Sequence, residues 1–186
     1  SGSVMAVYAR NDFLARPWFA PAGLNRGTVP NITDVYSRPT LEERDLMYGN
    51  RNAINPIVQY NDTQDFVVWG QKTLQRKPTA LDRVNVRRLL ITLKRYIRRV
   101  AEDLIFEPNT QVTRNKFLNQ VNPYLEYIQQ KQGLYAYKVI MDETNNTSDV
   151  IDRNQLVGQI YVQPTRTAEF IILDFTLQPT GATFPA

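Results

Sequence analysis

Two adjacent acidic pairs, Glu42-Glu43 and Glu102-Asp103, are the first candidates for acid–base chemistry. Carboxylates share that work by facing one substrate, and neighbouring residues on a helix do not share a face. The run Gly70-Gln71-Lys72-Thr73 has the residue types that end a phosphate-binding loop. Its lysine does not directly follow the glycine, however, and no glycine stands five positions earlier. The acidic stretch from Glu143 to Asp152 has neither the ligand spacing of a calcium loop nor a glycine at its central turn. The chain contains no histidine and no cysteine, which removes the commonest general base, the thiolate nucleophile and the usual zinc ligands together. The few serines have no base to activate them. No catalytic residue, metal or cofactor is therefore expected.

What remains is cationic. Between Asp82 and Asp103 there are seven basic and three acidic residues, a surplus of four that equals the net charge of the whole chain. Along the same stretch and one residue beyond it, Val86, Leu89, Leu90, Leu93, Ile97, Val100 and Leu104 fall at helical spacings of three and four. That spacing predicts a long amphipathic helix with one apolar stripe. Asp82 stands where it would cap the positive end of the helix. The other faces carry Arg83, Arg87, Arg88, Lys94, Arg95, Arg98 and Arg99. A neutral body bearing one cationic helix points to an acidic partner, either a protein or nucleic acid bound through helix 82–103. No run of aromatics is interleaved with the cations, and no nucleic-acid-binding motif is present, which disfavours the second partner.

The remaining elements follow in order. Val4–Tyr8 reads as a short strand and Arg10–Pro30 as an irregular, proline-rich segment pinned by Trp18 and Phe19. Thr40-Leu41-Glu42-Glu43 is a capping box opening a helix that ends by Gly49-Asn50. Ile57–Tyr60, a turn at Asn61-Asp62 and Phe66–Trp69 predict a hairpin. Leu104–Phe106 reads as a buried strand stopped by Pro108. A second long helix begins near Thr113, with a kink or restart expected at Pro123 and an end at Gly133. Tyr135–Asp142, Leu156–Val162 and Phe170–Leu177 read as strands. In the last, Ile171, Leu173, Phe175 and Leu177 share one apolar face, and Phe170 and Ile172 extend the other. A strand apolar on both faces must be covered, in its own sheet or a neighbour's. Residues 178–186 read as a flexible tail, and residues 1–3 as a cloning remnant. No apolar run approaches the roughly 18 residues of a membrane span, and no signal peptide is visible. The expected fold is α+β: one domain over 4–177, with two long helices packed on a mixed β-sheet and an extended C-terminal arm.

VVWGQKTL at 67–74 followed by DRVNVRRLL at 82–90 resembles the signature of contractile tail sheath proteins of bacteriophages. Five further stretches match that family in the same order: VYARND at 7–12, FAPAG at 19–23, LIFEPN at 104–109, VIDRNQLV at 150–157 and PTRTAEFIILDF at 164–175. The resemblance implies a structural subunit of the virion tail, assembled in the host cytoplasm. It polymerises helically with copies of itself around a tail tube, contacts baseplate and tail terminator proteins, and contracts to drive the tube through the host envelope. Together with the cationic helix it leads to the expectation that some of Arg87, Arg88, Lys94, Arg95, Arg98 and Arg99 contact acidic groups on the tube or a neighbouring subunit. It also implies an inter-subunit strand made by Phe170, Ile171, Ile172, Leu173, Phe175 and Leu177. The family's variable outer domains and N-terminal arm have no counterpart here, so the chain resembles a C-terminal portion or a short member.

Overall fold

The computed structural model describes residues 2–49, 53–60, 65–171 and 173. The element order is α1 (Gly2–Leu14), α2 (Gly23–Arg26), α3 (Leu41–Gly49), β1 (Ile57–Gln59), β2 (Phe66–Val68), α4 (Val84–Glu102), α5 (Gln111–Gln130), β3 (Leu134–Ile140), α6 (Ser148–Asp152) and β4 (Gln159–Pro164). The class is α+β, but the described strands do not form one mixed sheet. They form two separate antiparallel pairs, β1–β2 and β3–β4. Each pair joins strands that are neighbours along the chain, and α4 and α5 come between the two. The free side of β2 is closed locally, where Val29 N–H donates to Phe66 O and Val68 N–H to Gly27 O, both at 2.8 Å.

The main core lies between α4, α5 and the β3–β4 pair. Leu89, Leu93 and Val100 of α4 meet Phe117, Val121, Leu125 and Ile128 of α5, with Leu134, Met141 and Trp18 completing the cluster. The apolar period of α4 dictates this, since its buried positions fall on the expected stripe. Its start differs from expectation. Arg83 occupies the cap position without a capping side chain, while Asp82 pairs with Arg83 Nη1 at 2.9 Å. Thr79 opens a preceding 3-10 turn at Ala80–Asp82 by accepting from Leu81 N–H.

Several local expectations are corrected. Val4–Tyr8 belongs to α1, not to a strand, because Val4, Val7, Tyr8 and Asn11 make a helical face that packs on Val29 and Val68 or hydrogen-bonds into the following loop. The segment after Arg10 is accordingly helical to Leu14 and again over α2. Leu104–Phe106 is a turn: Leu104 and Ile105 N–H groups satisfy Ala101 and Glu102 carbonyls, and Phe106 sits at φ 70° with its ring fully exposed. Pro123 neither breaks nor restarts α5. It lies on the exposed side, so the carbonyl of Asn119, which loses its N–H partner, faces water. The polar loop after Glu143 ends in the short helix α6, and the following strand begins at Gln159 instead of Leu156.

Other expectations hold. Thr40 N–H donates to Glu43 Oε2 at 2.8 Å and Glu43 N–H returns to Thr40 Oγ1 at 3.3 Å, a reciprocal capping box. Ile57 pairs with Val68 and Gln59 with Phe66 in the hairpin, whose turn at Asn61-Asp62 lies outside the described residues. Trp18 is buried and donates Nε1–H to Lys131 O at 2.9 Å, tying its loop to the end of α5. There Gly133 N–H reaches Ile128 O and Gln132 N–H reaches Gln129 O, closing the helix with Gln132 at φ 61°. Gly133 is required by close approach: a Cβ there would lie 2.5 Å from Ile128 Cγ2.

Candidate assembly interface

Two exposed features stand out, the cationic face of α4 and the segment that leaves β4. Arg87, Lys94, Arg95, Arg98 and Arg99 are exposed. On a helix, positions 87, 91, 94 and 98 fall within a narrow arc, so Arg87, Lys94 and Arg98 form one line with exposed Ile91 among them. Arg98 pairs with Glu102 at 3.1 Å, one turn away. Arg87, Lys94, Arg95 and Arg99 make no ion pair among the described residues. Arg88 differs from its neighbours. Its side chain is only 18% exposed and binds Asp12 of α1 at 2.5 Å, and its guanidinium stands 5.1 Å from the Tyr8 ring centroid.

The β3–β4 pair has two described strands. Among the described residues no third strand joins either side, and the residues of β4 nearest the core, Ile160 and Val162, are only half-buried. A cavity of about 880 Å³ is lined by Ile97 and Ala101 of α4, Phe117 of α5 and Met141, Leu156 and Ile160. After Pro164 the chain forms no strand at 165–171 or at 173. Phe170, Ile171 and Leu173 are 77, 80 and 71% exposed; Ile172, Phe175 and Leu177 lie outside the described residues.

The root of this arm is held by polar contacts. Arg83 grips Glu169 with both ends of its fork, Nε to Oε1 at 2.6 Å and Nη2 to Oε2 at 2.9 Å. Gln71 Nε2 donates to Glu169 Oε1 at 3.3 Å and to the Thr167 hydroxyl. The Tyr48 hydroxyl also hydrogen-bonds Glu169, and burial, followed by the charge of Glu169, holds it well above the ordinary tyrosine range. Sequence reasoning did not single out Tyr48, and it met Gln71 only within the rejected phosphate-loop run and the VVWGQKTL stretch. Arg83 looked like one more cation, and its carboxylate partner lies 86 positions away.

Tyr8 and Tyr124 are likewise held protonated, chiefly by burial. For all three tyrosines the folded state keeps a proton that the unfolded chain releases near pH 10. Their stability contribution is therefore complete below about pH 10 and lost as pH climbs through the raised values. The urea midpoint should hold up to about pH 10 and fall as pH rises beyond it, and Tyr48→Phe should flatten that fall. A flat parent profile would contradict the assignment.

With this geometry in hand, comparison with known proteins is decisive. The profile of the phage tail sheath C-terminal domain matches residues 76–178. The chain belongs to this family. It is a structural, non-enzymatic family. The chain is 39% identical over 184 residues to the tail sheath protein of Vibrio phage KVP40, covering 99% of this chain and 27% of that protein. It is 37% identical over 184 residues to the tail sheath protein of Enterobacteria phage T4, covering 99% of this chain and 28% of that one. The chain thus spans about a quarter of the length of these sheath proteins. In shape it is similar to a chain of the contracted sheath complex of an extracellular contractile injection system (TM-score 0.84, 30% identity, covering 93% of this chain and 49% of that one). It is also similar to a chain of the anti-feeding prophage baseplate (TM-score 0.82, 30% identity, covering 94% and 49%). No described helix is long and apolar enough to cross a membrane.

Proposed function

We propose that this sheath domain serves a contractile tail sheath subunit of a phage virion, polymerising helically with its own copies around a tail tube and contracting to drive it forward. The exposed face of α4 meets acidic groups on the tube or a neighbouring subunit. The arm from Phe170 to Leu177 adds as a strand to the open β3–β4 pair of an adjacent copy, with baseplate and terminator proteins contacting the ends of the array. The observation that carries the reading is a two-stranded sheet and an exposed apolar arm in one chain of sheath family. Main-chain pairing gives such an exchange its affinity, and alternate side chains filling the cavity beside β4 give it register. Head-to-tail donation generates open helices instead of closed rings. Nucleic-acid binding by the same helix would call for stacking aromatics beside the cations, and the apolar residue in their line is Ile91.

The test is deletion from Phe170 onward in the full-length subunit, followed by electron microscopy and circular dichroism. A folded deletant that forms no sheath supports donation. Normal polymerisation, or loss of the fold because the strand belongs to its own sheet, overturns it.

A further inference from the structure

The chain is tethered twice just before the exposed Phe170 and Ile171. Thr165 is fixed to the turn after α5, its hydroxyl donating to Gln132 O at 2.7 Å and its N–H to Gly133 O at 3.2 Å. Four residues later Glu169 is fixed to the head of α4 by Arg83. Arg83 itself belongs to a rigid node: Val84 N–H donates to Gln71 O and Thr73 N–H to Asp82 O, both at 2.8 Å. The second tether is polar throughout. Arg166, Ala168 and Phe170 are exposed, and Thr167–Phe170 border an open cavity of about 400 Å³ shared with Arg26, Arg44 and Trp69. No apolar side chain of 166–169 is buried beneath the arm, so the hold rests on one carboxylate with its few donors. Contacts of this kind open locally without unfolding the domain.

We propose that Glu169 and Arg83 form a releasable latch that gives the C-terminal arm two working lengths. With the latch closed the last fixed residue before the arm is Glu169, and with it open Thr165. The four released residues add up to about 13 Å of reach, while Thr165 keeps the arm anchored. A donated strand could then stay paired as the spacing between two copies changes. That use of the extra length rests on the arm donation proposed above; the latch itself rests on contacts within one chain, so it is tested on unassembled protein.

Trypsin must hold an extended segment to cut after Arg166, and the closed latch denies it residues 167–169. In the unassembled chain, Glu169→Ala should raise the rate of cleavage after Arg166 at least about tenfold, Glu169→Gln less, and Asp34→Ala not at all. Unfolding in urea should stay cooperative in each case, with the midpoint lowered only by the free energy of the lost contact. Because the chain has no native cysteine, spin labels at Ile171→Cys and Lys116→Cys report the second property. The parent should give one narrow distance, and Glu169→Ala a broad distribution reaching up to about 13 Å further. Unchanged cleavage and distance in Glu169→Ala would overturn the latch. So would loss of cooperative unfolding, which would make the pair a fold-stabilising contact.

Discussion

Changing Arg87, Lys94 and Arg98 together to glutamate should abolish assembly of the full-length subunit on tail tubes, while shifting the melting temperature of the isolated chain by no more than about 2 °C. All three are exposed and lie on one line of α4. The single carboxylate they engage, Glu102, faces water with Arg98, and such a pair contributes only about 0–1 kcal/mol. The folded monomer therefore has little to lose. A helical array repeats the contact at every subunit, so reversing three charges in each turns a weak attraction into repulsion along the tube. Arg88→Glu provides the contrast. It should destabilise the monomer, because Arg88 is half-buried against Asp12 and Tyr8. Tubes decorated normally by the triple variant would remove α4 from the interface.

Much of this surface was legible because α4 states its geometry in a period that nothing interrupts. The capping box at Thr40 and the pairing of the β1–β2 hairpin were legible for the same reason, since each is a local rule with a local partner. Short apolar runs were not. Val4–Tyr8 looks extended over five residues, and only with Asn11 included does the 4, 7, 8, 11 spacing of a helix emerge. Leu104–Phe106 has strand-forming residues, but Leu104 alone is buried and its neighbours finish the turn off α4. The restart expected at Pro123 does not occur, because Pro123 lies on the outer side of α5, a position the sequence does not state.

The single sheet failed for a different reason. Strand pairing is a long-range fact, and periodicity reports which face is covered but not by whom. The same limit hid the split among the cations. Arg83, Arg87 and Arg88 are alike in sequence, yet Glu169 takes the first and Asp12 the third, leaving the second exposed. The apolar arm shows the limit from the other side. Its composition demands a cover, and within the described residues the chain supplies none for Phe170, Ile171 or Leu173.

Leu125→Ala should be the most damaging single truncation of the isolated chain. Leu125 is 0% exposed and sits in the cluster that joins α5 to Leu89 and Leu93 of α4 and to Leu134 of β3. Removing a fully enclosed leucine costs about 2–5 kcal/mol, the transfer term plus the cavity left by neighbours that cannot close in. Domains carry only about 5–15 kcal/mol in all, and in one of this size each kcal/mol moves the melting point by roughly 2–4 °C. A drop of roughly 5–20 °C is therefore expected. Ile91→Ala removes a similar side chain from the 56% exposed line of α4 and should move the midpoint by less than about 0.5 kcal/mol. The pair of measurements assigns the faces of both helices. It also bears on assembly, because α5 is the support on which β3 leans: a loosened α5 should weaken sheath formation through the sheet proposed to receive the arm, with the α4 line intact. Equal urea midpoints for Leu125→Ala and the parent would mean that this face of α5 is not the one turned to α4 and β3.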